Sequence, residues 1–217
     1  DRRVRGAFLP FFFLVAAVIL AIGSFSHTAF PFLTVPTAAR LSFLAVGASV
    51  TVLSMRLAFS SFSREGDSLK TLVASPMHVH ELYSWKFFFW SAAITLSAIV
   101  EVIAAARAFA LPAPVAFSLI ALGAAFSCTA SSIAVATGAL RTVFAWRESG
   151  DNTPTVVATA VCLLVFLVFF RYIGRFADLP ANSPIDVTAV FGSLIVTVAI
   201  TGTAWYLGHR AVAAMRF

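Results

Sequence analysis

Residues 63–86, SREGDSLKTLVASPMHVHELYSWK, are the one substantial polar stretch in a greasy chain, and they separate two long apolar runs, about 40–62 and 87–109. A hydrocarbon layer of roughly 30 Å needs about 20 apolar residues per helical crossing. Each flanking run meets that length, so the polar stretch is predicted to be a connection between two membrane helices at the bilayer surface. Working outward, four further runs of the same kind appear at about 7–25, 116–139, 155–171 and 187–208. The 217 residues are 60% hydrophobic and 11% charged, more apolar surface than one soluble core would hide. The runs are continuous, without the alternation of barrel strands. The expected fold is therefore all-α, a single integral membrane bundle of six transmembrane helices occupying residues 1–217.

Proline placement supports these boundaries, because a proline inside a span frees a backbone group that lipid cannot satisfy. Pro31, Pro36, Pro112, Pro114, Pro180 and Pro184 all fall in the expected connections, and Pro154 sits at a first helical position after Asp151, Asn152 and Thr153. Orientation follows from the basic residues. Arg2, Arg3, Arg5, Arg64, Lys70, Lys86, Arg141, Arg147, Arg210 and Arg216 fall on one side, and Arg40, Arg107, Arg171 and Arg175 on the other. That asymmetry predicts cytoplasmic termini and a cytoplasmic 63–86 segment, with Arg56 snorkelling toward the same surface. The net charge of +6 then reflects topology, since the basic residues are scattered over helix ends and form no nucleic-acid stripe. The start, DRRVRG before an apolar run, has the look of a secretory signal, but its length and the charge pattern favour a retained first helix. Asp1 in place of an initiator Met leads us to expect preceding residues.

Few residues in this chain carry chemistry. No phosphate-binding G-x-x-x-x-G-K-[ST] loop, H-E-x-x-H or G-x-S-x-G occurs, and no pair of intramembrane aspartates. Cys128 and Cys162 read as small packing residues inside spans. His78, His80 and Glu81 form an H-x-H-E group, yet histidines two apart on a helix point in different directions, and the group reads as a solvated cluster with no metal. Glu101 requires an explanation, because a carboxylate at membrane depth costs about 2.5–3.5 kcal/mol on insertion scales. It is expected to face the bundle interior, either as part of a translocation path or as one half of an internal pair. Arg107, six positions on, lies on a different face. Gly123, Ser127 and Ser131 recur every four residues on the fourth span, a face that permits close helix contact or a subunit interface. The fifth span, VVATAVCLLVFLVFF, is bulky nearly all round and is expected to face lipid.

Within 63–86, Leu69, Leu72 and Val73 follow i, i+3, i+4 spacing and give the first part a small apolar patch on a polar helix. Such a patch suits a groove on a cytoplasmic partner. Ser75 caps a new helix with Pro76 at its first position. Val79, Leu82 and Lys86 lead into the next span, with Tyr83, Trp85 and Trp90 as interfacial anchors. A short interfacial connector is the plain alternative.

The spaced pattern Glu65-Gly66, Leu72, Ser75-Pro76, Leu82 and Lys86 resembles the cytoplasmic segment of type-2 ABC exporter permeases. The order of spans, the cytoplasmic segment after the second and a longer outer connection before the last resemble that family too. The stretch GALRTVFAWRESGDNTP, 138–154, is similar to a companion motif in some members, although a proline expected near Thr142 is missing. The resemblance implies an amphipathic coupling helix between spans two and three. It also implies cytoplasmic ATPase partner subunits that hold ATP and Mg, and a second permease copy, a homologue or the other half of one longer polypeptide. Leu69, Leu72 and Val73 would dock, Glu65 would orient the segment, Pro76 would restart the helix and Lys86 would anchor the next span. No nucleotide or other cofactor is expected in this chain itself. The expected location is the bacterial cytoplasmic (inner) membrane, and the expected role is efflux of a hydrophobic or amphiphilic compound. Two other classes stay open: an ion-coupled secondary transporter, which would need several charged groups near the midplane, and a non-transporting scaffold or sensor subunit.

Overall fold

The computed structural model describes residues 34–63, 79–145, 153–177 and 187–213. These residues are helical, with no strand among them. Helix α1 (Val35–Leu53) runs through a π-helical segment (Ser54–Ala58) into the single turn α2 (Ser60–Ser63). Then follow α3 (Val79–Ala108), α4 (Ala113–Ala145), α5 (Thr153–Ala177) and α6 (Val187–Ala213). Five stretches among the described residues are long and apolar enough to cross a membrane: Val35–Ala58, Glu81–Ala108, Ala113–Leu140, Val156–Ile173 and Val190–Ala213. This is the architecture of a multi-pass membrane protein, and the five stretches correspond to the second through sixth expected spans. The expected first span, 7–25, lies outside the described residues, as do Glu65, Leu69, Leu72, Val73 and Pro76 of the expected coupling segment.

Helix boundaries differ from the sequence reading where prolines serve as starts. Pro36, expected in a connection, occupies the first turn of α1, where its fixed φ suits a helix and its missing N–H is not needed. Pro114 does the same at the start of α4. Arg40, counted with an outer connection, is consequently a helical residue, and so are Arg171 and Arg175 because α5 continues to Ala177. The turn between α3 and α4 is tight. Leu111 N–H donates to Ala106 O at 2.9 Å and Ala110 N–H to Arg107 O at 3.3 Å, closing the end of α3 in a Schellman arrangement. Ala110 takes the left-handed conformation, φ 48°, which this motif usually gives to glycine. Pro112 then blocks any continuation of α3.

Helix α4 is the hub, in contact with every other described helix. Its membrane-crossing stretch is 78% buried, against 28% for α5 and 17% for α6. The reason is side-chain size: α4 offers Ala130, Ala134, Ala136, Ala139, Ser127, Ser131 and Ser132 to its neighbours. Small residues let backbones approach, and in lipid close packing is the main source of helix association. At Gly138 the approach is tightest, and a Cβ there would collide with the backbone carbonyl of Phe59.

Helix α5 is held by one face. Ala158, Cys162, Val165, Phe169 and Ile173 are buried, while Val157, Leu163, Leu164, Leu167 and Val168 point outward. Phe166 stacks on Phe43 of α1 at 5.5 Å and 9°, and meets Phe126 of α4 edge-on at 5.4 Å. Gly47 makes the stack feasible, because any Cβ at that position would occupy the Phe166 ring. Such aromatic pairs contribute about 0.5–1.5 kcal/mol each beyond burial. Most of the surface of α5, expected to face lipid, is exposed on this chain, and a single small-and-aromatic stripe attaches it to α1 and α4.

Candidate functional site

Two polar features stand out in an apolar bundle. The first is a buried seam around Glu101. Helices α3 and α4 are joined by hydroxyl pairs: Ser131 Oγ donates to Ser91 Oγ at 3.2 Å and Ser127 Oγ to Thr95 Oγ1 at 3.1 Å. Both serines also reach carbonyls of their own helix, Ser131 to Cys128 and Ser127 to Ala124, which keeps their oxygens satisfied away from water. Gly123 continues this face toward the opposite end, where a Cβ would lie 3.1 Å from Val102 of α3. The structure therefore brings Gly123, Ser127 and Ser131 together on the α3 contact. Their four-residue spacing carried that information in the sequence.

Glu101 lies on the neighbouring face of α3, with no exposed surface. Its Oε1 accepts a 2.9 Å hydrogen bond from Ser49 Oγ of α1, and Oε2 has no hydrogen-bond partner among the described residues. The partner inside the bundle is a hydroxyl from another helix. Ser49 is 52 residues away in sequence, and no local pattern marks it. Glu101 is the one charged residue type buried among the described residues. Ser54, at the start of the π segment one turn further along α1, also has a buried hydroxyl without a partner. A π segment at this point is notable, since such interruptions recur at functional positions of helices.

The second feature is the bundle end that carries the 63–86 segment. Lys86 Nζ donates to Ser61 O at 2.9 Å. A cation placed on the last carbonyls of a helix answers both the orphan acceptors and the negative end of the helix dipole. The contact ties the two ends of the 63–86 segment together, across 25 residues of chain. Through this contact Lys86, expected to anchor the next span, also joins α2 to α3. Phe59, beside it, presses its carbonyl toward Gly138 of α4. Tyr83 differs from expectation as well: it is fully buried rather than interfacial, and its hydroxyl donates to Ala204 O of α6 at 3.4 Å. Gly208 makes room for that ring, because a Cβ there would overlap the Tyr83 hydroxyl. Trp85, on the other side of α3, is 76% exposed, as an anchor at a lipid surface should be. Each helix end beneath the segment is thus fastened to a neighbour: α2 to α3 and α4, and α3 to α6.

Sequence reasoning missed Ser49, Ser61, Tyr83 and Gly208 as members of these contacts. His78 of the H-x-H-E group lies outside the described residues, and no group of three metal-ligating side chains occurs among the described ones. A comparison with known protein families, curated proteins and solved structures finds no match for this chain.

Proposed function

We propose that the chain is the permease subunit of an ATP-driven ABC exporter, a six-span bundle of the bacterial inner membrane with cytoplasmic termini. A separate cytoplasmic ATPase would hold ATP and Mg, and a second permease copy, homologue or half would complete the pathway. The observation that carries the reading is the 63–86 segment, whose Glu65-Gly66, Leu72, Ser75-Pro76, Leu82 and Lys86 resemble a coupling helix in a chain that lacks any phosphate-binding loop of its own. The geometry at its ends supports the role. A segment clasped by Lys86 to Ser61 would pass a push to α2 and α3 together, and from them to α4 through Phe59 and Gly138 and to α6 through Tyr83. A lever of this kind depends on packed contacts, so Leu69, Leu72 and Val73 would form the docking patch. The buried Glu101 with its unpartnered oxygen would sit beside the route along which α1 and α3 separate.

The test is Leu72→Asp in the complex purified with its ATPase. The substitution lies on a polar segment and should leave the bundle folded. Hydrolysis is expected to continue while coupled efflux from proteoliposomes is lost, by at least tenfold. Efflux that remains coupled would remove the segment from the mechanism.

A further inference from the structure

Helices α5 and α6 both lean on α4 but scarcely meet one another. Between them lies an open cleft of about 350 Å³. Ile133, Ala136 and Leu140 of α4 form its floor, Val161 of α5 one wall, and Ile200 and Leu207 of α6 the other. The two threonines on its surface do not make it polar. Thr137 donates its hydroxyl to Ile133 O at 2.7 Å and Thr203 to Ala199 O at 2.8 Å, each on its own helix. Both oxygens are therefore already engaged, and the cleft itself is hydrocarbon-like. Val157, Leu164 and Tyr206, helical neighbours of its lining residues, are exposed, as side chains bordering hydrocarbon would be.

One end of this cleft carries charge. The α6 wall follows the helical repeat through residues 199, 200, 203, 204 and 207, and the next position on that stripe is Arg210, about 4.5 Å further along the axis. Arg210 is exposed, its guanidinium lies over the Tyr206 ring at 5.6 Å, and it has no hydrogen-bonding partner among the described residues. On the α3 side of the same turns, Trp205 lies beside His209 at 5.2 Å, aromatic residues of the kind found at a headgroup layer. An apolar slot whose wall continues to an exposed guanidinium matches a molecule with a hydrocarbon chain and an anionic head.

We propose that the α4–α5–α6 cleft is a binding site for an anionic glycerophospholipid of the surrounding bilayer, with one acyl chain in the slot and the phosphate at Arg210. The occupant is a lipid rather than a protein helix because a cleft of about 350 Å³ is the size of an acyl chain and far smaller than a packed helix, and because a planar guanidinium suits a phosphate. The site stands independently of the exporter reading.

The test is native mass spectrometry of the detergent-purified protein titrated with phosphatidylglycerol or phosphatidylcholine of matched acyl chains. The wild-type protein is expected to retain phosphatidylglycerol about fivefold better, the ratio that one basic side chain at an anionic surface confers. Arg210→Ala should bring the two lipids level. Thr203→Phe, at an exposed wall position, should fill the slot and lower retention of both. Equal retention of the two lipids by the wild-type protein would overturn the proposal without any variant. So would a Thr203→Phe protein that elutes as the wild type does and binds both lipids as well as before.

Discussion

Helices α4 and α6 are similarly apolar membrane helices, yet α4 is 78% buried over its crossing and α6 only 17%. The difference lies in what each presents. Helix α4 shows its neighbours glycine, alanine and serine, and it is joined to them by the Gly138–Phe59 backbone approach, the Ser127 and Ser131 hydroxyl pairs with α3, and the Phe126 ring against α5. Helix α6 turns Leu194, Ile195, Val198, Trp205 and Tyr206 outward and touches α5 little. In water the greasiest helix would be expected inside, yet α5, more apolar than either, is only 28% buried. In lipid, tails are as apolar as leucine, so small size and hydroxyl pairing decide which helix becomes the centre.

That contrast can be broken most sharply with matched truncations. Leu122→Ala removes a fully buried side chain of α4 and should cost about 2–5 kcal/mol in detergent unfolding. Leu194→Ala, on the outward face of α6, should change stability by less than about 0.5 kcal/mol. Similar losses at the two sites would mean that α4 is not the core. Gly138→Val tests the closest backbone approach and is expected to cost about 1–3 kcal/mol through overpacking against Phe59. A neutral result in thermal unfolding would place slack where the structure has contact.

The Glu101 seam sharpens the comparison further. Glu101→Ala leaves the Ser49 hydroxyl buried without its acceptor and should destabilise by about 1–3 kcal/mol. Glu101→Gln keeps an oxygen for Ser49 and should lose much less, so the pair of variants separates the hydrogen bond from mere volume. Ser127→Ala should cost about 0.6 kcal/mol, the value of one interhelical bond in a membrane. Its companion Ser131→Ala should match it, and a cost several times larger at either site would assign that serine a role beyond packing.

Much of this was readable in the chain, and the reason differs from feature to feature. The spans were legible because the length of an apolar run is dictated by the bilayer, which explains why five of the six expected runs coincide with helices among the described residues. The Gly123, Ser127 and Ser131 face was legible because helical periodicity places these residues together before any partner is known. Ser49 as the partner of Glu101 was not legible, since a lone serine on one helix gives no sign of which helix it will meet. Tyr83 looked like an interfacial anchor from its position, and only Gly208, 125 residues away, makes room for its ring inside. The cleft beside α6 was hidden for a more general reason. Side chains that line a cavity, face lipid or fill the core are equally apolar here, so composition cannot separate them.

The proposed function rests on the 63–86 segment as the place where a cytoplasmic ATPase acts. The most direct measurement is site-specific photocrosslinking from Leu72 in intact native membranes, followed by identification of the captured protein. The expected result is a crosslink to a P-loop ATPase that weakens or strengthens when ATP hydrolysis is blocked. Capture of a protein without a P-loop, or no capture while a crosslinker at the lipid-facing Leu164 behaves identically, would contradict it.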